Sequence, residues 1–253
     1  MIPAPVHRKR RNARHLLGGL AVVLALGAPL GRALAADPNE LSQAEKLVFV
    51  EHQLANVKEP TQLRYTFVKS GSLEPGFEDE VVVDVVKVGP AGSSVRADFL
   101  SGSRNIKLPD IENAQANPVI LYFLEHDIRE MAGLTERKTG NYFRNRIRRS
   151  LVDEAQVRDT TVVFEGRDLP AQEITLTPYL TDPARSRYER YANKRYVFVL
   201  SKGVPGGVYQ MRTSMSAAPP STAPMLEEVM TLAGPATPRT AAPTTRNQPV
   251  KPQ

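Results

Sequence analysis

The sequence predicts an α+β fold: a curved antiparallel sheet or open barrel of about seven strands, with an N-terminal helix and a central helical hairpin. Three observations carry this. Runs with strand-like alternation recur and are joined by Gly/Pro turns. Two segments of helical period stand side by side in the middle of the chain. The order is then helix, three strands, two helices, four strands, so strands pair locally around one helical insertion.

Residues 40–57 place Leu47, Val50, Leu54 and Val57 three or four apart, an apolar helical stripe that Pro60 ends. Leu63, Tyr65 and Phe67 then alternate with Arg64 and Thr66. Glu80–Val88 is valine-rich, and Val95, Ala97 and Phe99 alternate with Arg96 and Asp98. Gly89-Pro90-Ala91-Gly92 makes the turn between these last two runs, so an antiparallel meander with one wet face is expected. Residues 101–116 hold turn residues and little periodicity. Asn117-Pro118 is a helix start, a cap followed by proline in the first turn. Residues 118–133 carry Ile120, Leu124, Ile128 and Met131 on one side, and residues 141–153 carry Phe143, Ile147 and Leu151. Strands follow at 157–165, 170–178, 194–201 and 206–215, with a polar connection at 181–194 that reads as a solvated loop. Met225–Leu232 reads as one or two helical turns inside a tail rich in Pro, Ala and Thr. The expected organisation is a signal peptide over 1–35, one α+β domain over 36–216, and a largely disordered tail over 217–253.

The N-terminus sets the compartment. Arg8, Lys9, Arg10, Arg11 and Arg14 precede an apolar run over 16–31, followed by Ala33-Leu34-Ala35. A basic stretch, a short apolar stretch and an A-x-A site are the pattern of a cleaved secretory signal. The run falls short of the roughly 20 residues a spanning helix needs. A periplasmic protein without a stable membrane anchor after cleavage is therefore expected. The signal also carries the excess charge. Six of the 33 basic residues and none of the 27 acids lie within 1–35, which leaves the remainder with 27 of each. A neutral mature chain gives no ground for nucleic-acid binding. With no cysteine anywhere, disulfides, thiolate metal sites, Cys nucleophiles and N-terminal lipidation on cysteine are excluded.

This layout over residues 40–215 resembles the periplasmic lipoprotein carriers of the LolA/LolB-like open-barrel class, and an exported family of proteobacteria. It consists of an opening amphipathic helix, a strand with Tyr65 and Phe67, valine-rich meander strands, a central helical insertion and further strands. The resemblance implies an apolar cavity under a helical lid that shields acyl chains.

Few residues suggest chemistry. His126 and Glu130 lie four apart, as two metal ligands on a helix would. They also lie opposite Ile120, Leu124 and Met131, on the face where solvent belongs, and a third ligand is not evident. Arg137, Lys138, Arg144, Arg146, Arg148 and Arg149 form a basic run on the second helix and its approach. Arg144 and Arg148 share a face that can take an anionic head group, while Glu125, Asp127 and Glu130 on the first helix offer ion-pair partners. Tyr122, Phe123, Tyr142 and Phe143 either fill the core or line a ligand cavity. No Gly-x-Ser-x-Gly elbow or phosphate loop is present, and no cofactor is expected. The leading expectation is a non-enzymatic periplasmic binding or carrier protein for an apolar or anionic lipid-like ligand. Its ligand-binding residues would be Tyr122, Phe123, Tyr142, Phe143, Arg144 and Arg148. The alternatives are an envelope assembly factor that holds a protein partner through the Arg-rich hairpin, and a metal-dependent hydrolase around His126.

Overall fold

The computed structural model describes residues 40–136, 140–216 and 223–234. The expected signal peptide and residues 235–253 lie outside them, as do Arg137 and Lys138.

The chain opens on a capping box. Ser42 Oγ accepts the Glu45 amide, and the Glu45 carboxylate accepts the Ser42 amide. Helix α1 (Gln43–Glu45) nevertheless ends after one turn. It widens into a π-helical turn over Lys46–Val50, breaks at Glu51 and His52, and resumes as a 3-10 turn over Gln53–Asn56. The expected continuous helix is thus three short pieces. The run Leu47-Val48-Phe49-Val50 is bulky and partly β-branched, which weakens a regular helix. Leu47, Leu54 and Val57 are buried as the stripe requires, but Val50 is turned outward.

Strands β1 (Thr61–Ser70), β2 (Phe77–Gly89) and β3 (Gly92–Phe99) form the expected antiparallel meander. The segment read as irregular contains two short edge strands, β4 (Ile106–Lys107) and β5 (Ile111–Ala114), both paired with β3. The hairpin follows, as α2 (Val119–Leu134) and α3 (Asn141–Asp153). A Cβ on Gly140 would come within 2.2 Å of Ile128 Cγ2, so only glycine lets the two helices approach this closely. Then come β6 (Gln156–Phe164), β7 (Arg167–Leu176), β8 (Arg195–Leu200) and β9 (Val208–Ser216).

The last element corrects the sequence reading. Met225–Leu232 is not helical, and the domain does not end at 216. Pro224–Leu232 is strand β10, and it lies between β1 and β9. The sheet is antiparallel and open, with ten strands in place of about seven, in the order β4-β3-β2-β1-β10-β9-β8-β7-β6 and with β5 beside β3. Residues directly opposite in register share a face. Phe67, Met230, Met211, Phe198 and Ile174 face one another across five strands, and all are fully buried. Each such side chain contributes about 1.5–3 kcal/mol. The hairpin covers this inner face. The space beneath it holds Ile120, Phe123, Met131 and Phe143 of the helices themselves, all buried.

Candidate functional site

Two residues along the strands from the apolar row runs a polar one. Lys69, Glu228, Thr213 and Tyr196 stand opposite one another on the same inner face. Helix α2 meets this row with His126, Asp127 and Glu130. These residues were expected on a solvated face, and that expectation is overturned: Asp127 is 0% exposed, while Leu121 of the same helix is 49% exposed. Helix α2 therefore turns charge inward and an apolar side chain outward.

The inward charges are paired. Lys194 Nζ contacts the Asp127 carboxylate and lies 3.0 Å from Glu130 Oε2. Lys69 Nζ lies 2.7 Å from Glu130 Oε1 and 3.7 Å from Glu228 Oε1. His126 Nε2 is 3.1 Å from Glu228 Oε1, and its ring packs against Phe67 and Phe99. The Tyr196 hydroxyl donates to Asp127 at 2.5 Å. Burial pushes the Glu130 carboxyl up, but Lys194 and Lys69 pull it down further, to about 2. Asp127 goes the other way. Its burial, with Glu130 and Glu228 nearby, outweighs Lys194 and raises its carboxyl. Burial presses the His126 imidazole down, yet Glu228, Glu130 and Asp127 together raise it. Asp127, Glu130 and Glu228 lie close enough to share a cation. Two ammonium groups already fill that role, and both oxygens of Glu130 accept from lysines. Of the two expected metal ligands, His126 thus faces Glu228 of β10, and Glu130 is held by Lys69 and Lys194.

A second joint fixes α3. Tyr142 and Tyr188 both donate to Asp182, Arg146 Nε lies 3.0 Å from Asp182 Oδ2, and Arg146 also donates to the Pro178 carbonyl. The connection over 181–194 was expected as a solvated loop. It instead buries Asp182, Tyr188, Ala192 and Lys194, because it supplies the counter-charges to the hairpin.

Of the aromatic residues proposed to line a cavity, Phe123 and Phe143 belong wholly to the core, and Tyr122 is buried with its hydroxyl unpartnered among the described residues. Tyr142 serves Asp182. Arg144 and Arg148 are placed differently. They stand at the rim of an apolar groove of about 530 Å³ on the outer side of the hairpin. Leu124, Ile128 and Ile147 line it as buried side chains. Leu121 on one side, and Leu41, Phe49 and Val50 of the N-terminal segment on the other, line it while remaining 39–51% exposed. The described residues include nine exposed large hydrophobics, and four of them gather here. Exposed apolar residues scattered singly need no explanation, but a contiguous patch does. The π turn is what presents Phe49 and Val50 to the groove, and such turns occur often at functional sites. The wall is held by Ser42 Oγ, which donates to the Leu151 carbonyl, and by Gln53 Nε2, which donates to that of Leu47. Sequence reasoning missed Leu121, Phe49 and Val50, since nothing in a helical stripe marks which apolar residues a π turn will expose.

A larger cleft of about 830 Å³ lies between the N-terminal segment and the β6–β7 edge. Its lining mixes Glu51, Lys58, Asp159 and Lys202, and Lys202 is paired with Glu51 at 3.0 Å. None of the nine exposed large hydrophobics lines it.

No family model and no curated protein matches the chain. Among solved structures, the Mycobacterium tuberculosis lipoprotein LppX is similar at TM-score 0.32 and 11% identity, over 76% of this chain and 95% of that one. A LolA superfamily protein from Nitrosomonas europaea is similar at TM-score 0.21 and 11% identity, over 76% of this chain and 92% of that one. Both likenesses are of layout alone, so function has to be read from the groove. Among the described residues no helix is long and apolar enough to cross a membrane.

Proposed function

We propose that this protein is a non-enzymatic, exported binding or carrier protein that takes an apolar or lipid-like ligand in the groove between the N-terminal segment and the helical hairpin. One observation carries the reading: the exposed apolar side chains of two segments remote in sequence, the N-terminal segment and α2, converge on a single concave surface with a buried apolar floor. A groove of this kind gains by covering its apolar area, roughly 25 cal/mol per Å² removed from water. Periplasmic location follows from the N-terminal signal pattern. The space beneath the hairpin, where the resemblance to lipoprotein carriers would put the ligand, is occupied by the chain's own aromatic and charged residues. The ligand therefore belongs on the hairpin's outer side.

The test is titration of the uncharged fluorescent probe N-phenylnaphthylamine. Saturable binding is expected, and Phe49→Asp and Leu121→Asp should each weaken it about tenfold, the equivalent of roughly 1.4 kcal/mol. Both positions are exposed, so circular dichroism and the thermal midpoint should hold. Binding that does not saturate, or that ignores both substitutions, would refute the groove as the site.

A further inference from the structure

We propose that the groove selects single-chain amphiphiles with an anionic head, and that Arg148 alone reads the head. This rests on the groove being a ligand site and names the ligand it takes.

The polar rim consists of Glu45, Glu125, Arg144 and Arg148. Three of the four are already engaged. Glu45 accepts the Ser42 amide in the capping box. Arg144 is bound two-pronged to Glu125, with Nε at 2.9 Å from Oε1 and Nη2 at 3.0 Å from Oε2, and it also donates to Asn141. These two charges neutralise each other and tie α2 to α3. Arg148 stands one turn further along the same face of α3. It is exposed, and among the described residues its guanidinium has neither a hydrogen bond nor an ion pair. Glu45 keeps its second carboxylate oxygen, but the one unpaired cation of the rim among the described residues is Arg148. It sits at the edge of the apolar floor, next to Ile147. A guanidinium presents a fork that matches carboxylate and phosphate oxygens. An acyl chain in the groove and an anionic head on Arg148 satisfy both surfaces at once.

The size fits one chain. A methylene occupies about the liquid volume of one water, roughly 30 Å³. A groove of about 530 Å³ thus matches the bulk of one long acyl chain. Fatty carboxylates and monoacyl phospholipids share this chemistry.

The experiment measures the affinity of the full chain for palmitate, monoacyl phosphatidylglycerol, hexadecanol and diacyl phosphatidylglycerol, each below its aggregation limit. The two anionic single-chain ligands should bind about tenfold tighter than hexadecanol, and the preference should shrink at high salt. Arg148→Gln should abolish that preference and leave hexadecanol binding unchanged, while Arg148→Lys restores part of it. Whichever anionic ligand binds tighter identifies the head group as carboxylate or phosphate. Equal affinity for palmitate and hexadecanol, or an Arg148→Gln variant that weakens both alike, overturns the role of Arg148 while the groove survives as a site. Diacyl binding as tight as monoacyl overturns the single-chain limit. If none of the four binds, the groove is not a ligand site and this inference falls with it.

Discussion

Nε2 of His126 stands 3.1 Å from Oε1 of Glu228, joining the hairpin to the central strand through a titratable pair. Beneath the hairpin, three carboxylates (Asp127, Glu130, Glu228) face two ammonium groups (Lys69, Lys194). Lys69 also reaches the more exposed Glu74 at 2.8 Å, and a proton on His126 adds a third positive charge opposite these carboxylates.

The balance gives stability a definite pH profile. The imidazole is raised above its usual 6.5, so its contribution is fully present below that value and is lost as pH rises through the raised one. Glu130 is lowered from 4.5 to about 2, so its contribution is present above 4.5 and fades as pH falls toward 2. Urea unfolding across a pH series should show greatest stability between 4.5 and the raised imidazole value. His126→Gln should flatten the upper limb. An unchanged upper limb in that variant would place the titration elsewhere.

Lys194 is the sole fully buried cation of the described residues, and Asp127 and Glu130 depend on it. Lys194→Met leaves those carboxylates buried beside one remaining lysine and should destabilise by about 3–5 kcal/mol. Adding Asp127→Leu should return part of that loss, because the uncompensated charge is then gone. A double-mutant cycle by chemical denaturation checks this. Additive losses would mean the two residues do not act as a pair.

Gly140→Ala drives a methyl group into Ile128 Cγ2 and should cost about 1–3 kcal/mol by overpacking. Ile128 also lines the groove, so the same change should weaken probe binding. Thermal unfolding and probe titration on one sample read both effects. A Gly140→Ala variant with wild-type stability would show that the helices have room to part.

Met230 is fully buried in the apolar row between Phe67 and Met211. Met230→Ala should cost about 2–5 kcal/mol. Leu226→Ala, also buried, should cost a similar amount. If both were neutral in denaturant titration, β10 would not be part of the core.

Much of the frame was legible in the sequence, for particular reasons. Helix α3 runs from Asn141 to Asp153 as its period and the glycine before it indicate. The β2–β3 hairpin closes at Gly89 and Gly92, where the turn residues stand. The central placement of β10 was not legible. Its inward residues are Leu226, Glu228, Met230 and Leu232, and a glutamate on the inner face breaks the apolar alternation that marks a strand. What permits that glutamate is Lys69 on β1 and His126 on α2, both remote in sequence. The same logic hid the site. Pattern reading assigns charge to water and leucine to the core, and α2 reverses both at Asp127 and Leu121. The spacing of four puts Arg144 and Arg148 on a shared face, but only the structure separates the paired guanidinium from the open one.

Strand β10 also governs when the domain can form. The sheet has two halves, β4 through β1 and β9 through β6, and only the final strand links them laterally. Its partner β1 lies near the other end of the domain, so this closure joins the chain's most distant parts and is intrinsically slow. A chain still emerging from a ribosome lacks the piece that would lock it. The two halves of the sheet cannot be joined until Pro224–Leu232 has left the ribosome.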